Sequence, residues 1–281
     1  IELNPKHTLA WINKGLANIN LKRPERALAD LAEALKLNPQ NATVWNALGV
    51  AHDKLNQWEE AVADFSKAIE IDPKLAGAWR SRAACYYQLG RFDEALTDYS
   101  QSIELDPQNP RAWYSRGLIH KTLNQYQLAL ADYSRAIELS PRDSQAHNNL
   151  AWLLTTCRDE SLRDSQRALK LAEKAVEIDP RQGIFWHTLG ITRYRLDKWD
   201  GAIAALEKAQ ELRGADPIDG LFLAMSYSKL GHRSQAAAAY ENVVQMMERR
   251  KDDIEKKASY LADLLLFRAE AEAVLGVKIN A

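Results

Sequence analysis

An all-α solenoid of stacked helix pairs is the fold this 281-residue sequence predicts, on three observations. Proline recurs at positions 39, 73, 107 and 141, a fixed period of 34 residues, and periods of that size mark repeat architectures. The same residue classes return at the same places within each period. Between them, apolar residues fall at three- and four-residue steps, so each period writes two amphipathic helices of ordinary length.

Counted from three residues after each proline, units begin at 8, 42, 76, 110 and 144, and two more begin at 183 and 217. The fourth position holds Trp11, Trp45, Trp79 and Trp113, with His147 in the fifth unit. The eighth position is small: Gly15, Gly49, Ala83, Gly117 and Ala151. The twentieth is Ala27, Ala61, Ala95 and Ala129, and the twenty-fourth is large: Leu31, Phe65, Tyr99 and Tyr133. The later units carry Trp186, Leu189, Gly190, Ala202 and Leu206, then Leu223, Ala224, Tyr227, Ala236 and Tyr240. The expected units are therefore 8–41, 42–75, 76–109, 110–143, 144–182, 183–216 and 217–250.

Each helix has a readable start or stop. Asn56, Gly90, Asn124, Asp197 and Gly231 fall between the two helices of a unit, and Gly, Asn and Asp accept the left-handed conformation that ends a helix. The second helix must stop before Asn38-Pro39, Asp72-Pro73, Asp106-Pro107 and Asp179-Pro180, because proline restricts the residue before it and cannot continue the helix. Asn109-Pro110 and Asp216-Pro217 read as an N-cap followed by proline in the first helical position. The fifth unit has five extra residues, because its alanine arrives only at Ala168. The polar stretch 155–167 reads either as a lengthened surface turn or as a partner contact or hinge. A last helix from Asp253 to Leu275, with Gly276 just past its end, is expected to close the array within 251–281. Residues 1–7 begin Ile1-Glu2-Leu3-Asn4-Pro5, which matches the end of a unit and predicts a truncated upstream repeat.

Over residues 8 to 250 this pattern resembles the tetratricopeptide repeat (TPR) closely. The resemblance implies a right-handed superhelix with the first helix of each repeat lining an inner groove, and a non-catalytic role in protein–protein interaction. From Ala151 onward the stretches Ala151–Cys157, Leu162-Arg163-Asp164, Ala168–Pro180, Trp199–Ile203, Leu212-Arg213-Gly214 and Phe267–Ala271 are similar to TPR tails of large bacterial Ser/Thr protein kinases and related multidomain proteins. That likeness implies a targeting or autoregulatory arm of a larger enzyme. No Gly-rich phosphate loop and no His-Arg-Asp catalytic loop is present in the sequence itself.

The groove positions implied by the family are the second, fifth, sixth, ninth, twelfth and thirteenth of each unit, which share one helix face. In the middle of the array they hold Asn46, Arg80, Tyr87, Arg111, Tyr114, Lys121, Asn148, Asn149, His187, Tyr194 and Arg195. Lys54, Arg80, Arg111, Lys121, Arg195 and Lys229 there face one acid, Asp53, so a positive groove is expected to take an extended acidic peptide. The competing reading is that these cations only keep the surface soluble. A chaperone carboxylate clamp is not expected, since Ile12 and Leu16 stand where it needs Lys and Asn. The ends are apolar: Leu9, Ile12, Leu16 and Ile19 in the first unit, and Ile218, Leu221, Phe222 and Met225 in the seventh. Two readings stay open for them, packing on an upstream segment or self-association into a homo-oligomer or assembly module.

Composition excludes several function classes. The chain has 37 basic and 38 acidic residues, a net charge of −1 that argues against nucleic acid and anionic membranes as partners. No apolar run approaches the roughly 20 residues a membrane span needs. Two cysteines, Cys85 and Cys157, cannot build a disulfide framework, which points to a reducing, cytoplasmic setting, and Cys85 reads as a core residue. No metal or cofactor site is expected. His52 and His120 are two units apart, and His147 and His187 have no Cys or carboxylate near them at ligand spacing. The acidic pairs Glu59-Glu60 and Asp252-Asp253 suit helix starts better than a catalytic dyad.

Overall fold

The computed structural model describes residues 7–256 and 258–276, so the reading of the first five residues lies outside it. Those residues hold sixteen α-helices and no strand. They form two compact units that divide between Ser140 and Pro141. The first contains α1 (Thr8–Asn20), α2 (Pro24–Leu37), α3 (Ala42–Lys54), α4 (Trp58–Ile71), α5 (Ala76–Gln88), α6 (Phe92–Leu105), α7 (Pro110–Thr122) and α8 (Tyr126–Leu139). The second contains α9 (Ser144–Thr156), α10 (Ser165–Ile178), α11 (Gly183–Tyr194), α12 (Trp199–Arg213), α13 (Pro217–Lys229), α14 (Arg233–Arg249), α15 (Lys251–Glu255) and α16 (Ala258–Leu275).

Consecutive helices pair, α1 on α2, α3 on α4 and so on to α13 on α14. Glycine allows the close approach inside a pair. A Cβ on Gly15, Gly49 or Gly190 would sit 2.6, 2.7 or 2.6 Å from Leu31, Phe65 or Leu206, the large residue sixteen positions later. The turn inside a pair is left-handed at Asn56, Asn124 and Asp197 (φ 57°, 58° and 56°) and at Gly90 and Gly231. Lys22 takes the same conformation in the first pair (φ 56°), where nothing in its residue type announces it. Asn109 and Asp216 cap α7 and α13, accepting from the Arg111 and Ile218 amides, with proline in the first helical turn.

The extra residues of the fifth unit form an ordered turn. A short 3-10 turn (Glu160–Leu162) follows the buried Cys157, the Arg163 guanidinium donates to the Cys157 carbonyl at 2.7 Å, and Asp164 caps α10. The expected closing helix differs in one respect: α15 ends at Glu255 and α16 starts at Ala258, so two helices replace one. Both free cysteines are buried. No helix of the described residues is long and apolar enough to cross a membrane.

Candidate functional site

In the first compact unit, the first helices of successive pairs approach one another, α1 on α3, α3 on α5 and α5 on α7, and the described second helices make no comparable contact. The stack is therefore tighter on the first-helix side, which makes that side its inner face. Asn46 lies on α3, Arg80 and Tyr87 on α5, and Arg111, Tyr114 and Lys121 on α7, the first helices that make up this side. Arg80 is half-buried and Arg111 exposed, and neither makes an ion pair among the described residues. The acid on this face, Asp53, is engaged by Lys54 at 3.3 Å and by the Cys85 thiol at 3.9 Å.

Tyrosines floor this face. Tyr87 packs on Phe92 with ring centroids 5.7 Å apart, and Tyr114 on Tyr133 at 5.8 Å. Tyr99, from the second helix α6, bonds to Ser115 and feels the Arg80 charge. Burial pushes the Tyr99 and Tyr133 phenols above their ordinary range, so both stay neutral and offer no negative charge to a ligand. The Tyr133 hydroxyl and the Asn46 side-chain oxygen are buried without a hydrogen-bond partner among the described residues. Such groups are uncommon in native proteins and call for a physical explanation.

The second compact unit turns out differently from the sequence expectation. Its first helices α9, α11 and α13 also approach one another, but α16 lies along α13. Leu264, Phe267 and Ala271 of α16 are buried, with Phe267 edge-on to Trp152 (6.4 Å) and to Phe222 (5.0 Å). Glu270 takes both terminal nitrogens of Arg195 in a forked ion pair, the second arm 2.6 Å long. Asn148, His187 and Tyr194 are buried and do not line an open groove, Asn149 is half-buried, and Arg195 is neutralised by the chain's own acid. Burial with the Glu270 charge nearby pushes the Tyr194 phenol up to about 12. Ile218, Leu221, Phe222 and Met225 are also buried, in one core cluster with Leu264, Phe267 and Ala271. They satisfy their apolar faces internally, so self-association through these four is corrected. At the other end Ile12 is buried in the α1–α3 core, whereas Leu9 and Leu16 are exposed.

A buried charge ladder was not singled out from the sequence, although it has the same period. Lys14, Arg82 and Arg116, at the seventh position of their repeats, pair with Asp30, Asp98 and Asp132 at 2.6, 2.7 and 2.7 Å. In the second repeat the seventh position is Leu48, and His52 reaches Asp64 instead at 2.6 Å. The Arg82 and Arg116 guanidinium groups also donate to Ser66 and Ser100 of the preceding helix pair and lie over the Trp79 and Trp113 rings. Each ion pair joins the two helices of one unit, and the Arg82 and Arg116 bonds to Ser66 and Ser100 link two of those units to the one before, so the ladder is structural.

Contrary to the sequence reading, carboxylates do lie beside His187. Asp219 is 2.5 Å from its Nδ1, and one ligand atom each from His187, Asp216 and Asp219 falls within 4.8 Å of the others. Asp219 is one repeat further on, out of reach of any local spacing rule. Arg213 also enters this cluster, 2.7 Å from Asp219, 3.0 Å from His187 Nδ1 and 3.4 Å from Asp216. Its guanidinium supplies the positive charge that the carboxylates need, so the donor set fits an internal ion network better than a metal.

Three models of the tetratricopeptide repeat match the chain: one over residues 1–42, 12–76 and 159–217, one over 110–143, and a further TPR model over 85–124. No curated protein matches the sequence. Among solved structures, a tetratricopeptide repeat protein from Parabacteroides merdae superposes with a TM-score of 0.61 at 20% identity, covering 92% of this chain and 98% of that one. PilF of Pseudomonas aeruginosa gives 0.62 at 18% identity, over 78% of this chain and 97% of that one. YrrB, described as a TPR protein with an unusual peptide-binding site, gives 0.56 at 23% identity, over 65% and 92%. At these identities the structural likeness carries the fold alone. The matches carry the repeat family and give no support to the likeness to kinase tails.

Proposed function

Because the chain belongs to the tetratricopeptide repeat proteins, we propose that it is a non-catalytic protein-interaction scaffold whose first compact unit holds an extended acidic segment on its inner face. One observation carries this reading: among the described residues Arg80 and Arg111 have no ion-pair partner, while the acid predicted for the same face, Asp53, is already engaged by Lys54. A carboxylate suits a guanidinium fork. The second unit supplies an internal precedent, since Glu270 docks on Arg195 in the same manner. Its groove is used by α16, which concentrates the proposed site in the first unit.

The test is a crosslinked pull-down from native lysate, followed by fluorescence anisotropy with the captured acidic segment as a synthetic peptide. An Arg80→Glu, Arg111→Glu double variant is run beside the unmodified chain. Charge-assisted hydrogen bonds contribute about 1.5–3 kcal/mol each, so affinity should fall by roughly a hundredfold or more. It should also weaken with added salt in the unmodified chain. Equal binding by both chains would remove the inner face of the first unit as the site.

A further inference from the structure

Of the residues expected to drive self-association, Ile12, Ile218, Leu221, Phe222 and Met225 are buried and Leu9 and Leu16 are exposed, and a further exposed apolar surface lies on the last helices. A groove of about 290 Å³ opens between the end of α14, α15 and α16, with Val244, Met247, Leu261 and Leu265 among its lining. Leu265 and Leu266 are 51% and 47% exposed, and Val244 is 39% exposed. α16 turns Leu264, Phe267 and Ala271 inward and these leucines outward, so it is apolar on opposite faces. Contiguous exposed apolar side chains on a folded chain mark interaction sites.

We propose that this face docks a second copy of the same chain about a two-fold axis. The charge pattern at its rim selects that occupant. Glu248, Lys251 and Glu255 border the groove, and none makes an ion pair among the described residues. Arg268, the remaining charge, is held by Glu272 at 2.8 Å. A rim with a cation flanked by two acids is complementary to its own rotated copy, because Lys251 of each chain meets an acid of the other. The same two acids repel an acidic peptide and an anionic membrane. The proposal is independent of the reading of the first unit, which concerns a different surface and ligand.

Sedimentation velocity on the full chain over a concentration series tests it. The unmodified chain is expected to pass from monomer to dimer. Leu265→Glu places a charge in the apolar contact without touching a side chain buried in the monomer, and should raise the dimer dissociation constant about tenfold or more. Lys251→Glu alone, or Glu248→Lys with Glu255→Lys, should weaken each homodimer, and mixing the two variants should restore a mixed dimer. Circular dichroism confirms that each variant is folded. A strict monomer for the unmodified chain, an undiminished dimer for Leu265→Glu, or no association in the mixture would overturn the proposal.

Discussion

The indole N–H of Trp45, Trp79, Trp113 and Trp186 donates to the carbonyl of Pro39, Pro73, Pro107 and Pro180 at 2.8–3.0 Å. The two residues that mark the period in the sequence are thus bonded to each other: the proline ends one helix pair and the tryptophan of the next clasps it. Glycine at the eighth position is as directly readable, and it yields a prediction of sign. Gly49→Ala would push a methyl group to 2.7 Å from the Phe65 ring and should cost about 1–3 kcal/mol. Gly77 is also helical, but a methyl group placed on it would meet nothing within 4 Å, and Gly77→Ala should stabilise by about 0.5–1 kcal/mol. Urea unfolding of both variants checks the pair, and equal effects would refute the close-approach account.

The Cys85 thiol gives a pH prediction. Burial and the neighbouring Asp53 push it from an ordinary value of 9.0 up to about 12. The folded chain therefore holds this proton where the unfolded chain has lost it. The associated stability is complete below pH 9.0 and declines as pH rises toward about 12. Unfolding midpoints measured at about pH 8 and about pH 11 should separate, and Cys85→Ala should narrow the gap. The tyrosines raised by burial, Tyr194 among them, leave part of the slope in that variant.

Between helices, the weight falls on buried pairs. Asp132 is nearly inaccessible and holds Arg116 with two bonds, 2.7 and 2.9 Å. Asp132→Ala strands that guanidinium and should cost about 3 kcal/mol or more. Glu70→Ala removes an exposed i,i+3 partner of Lys67 and should cost less than about 0.5 kcal/mol. Thermal unfolding of the two variants distinguishes buried ion pairs that join the helices of a unit from a decorated surface. Helix limits were largely legible, because proline stops, Asn or Gly turns and Asn/Asp caps act through neighbours in the chain. The break between α15 and α16 was not, since no proline or glycine marks it. The ladder was legible in principle, as both its positions repeat every 34 residues. It stayed unread because charged residues in amphipathic helices are ordinarily solvated.

At the scale of the molecule, the all-helical repeat fold could be read from the period, but the division between Ser140 and Pro141 could not, because the period runs through it unchanged. The state of the second unit's inner face was also hidden. Glu270 meets Arg195 across 75 residues of chain, and no periodic rule connects a closing helix to the position it covers. What the period does imply is how damage spreads. In a stack of repeats, stability is approximately a sum of terms for each pair and for its immediate neighbours. Trp79 clasps Pro73, lies under Arg82 and packs with Ala68, Ile69 and Ala78, so it joins α4 to α5. Trp79→Ala should therefore raise amide hydrogen exchange in α3–α6 and leave α11–α14 at their original rates. The mutation would then weaken the proposed binding at Arg80 and Arg111 only by loosening the helices that present them. A uniform rise across all helices would mean that the chain unfolds as one cooperative block, and that the nearest-neighbour account of its stability is wrong.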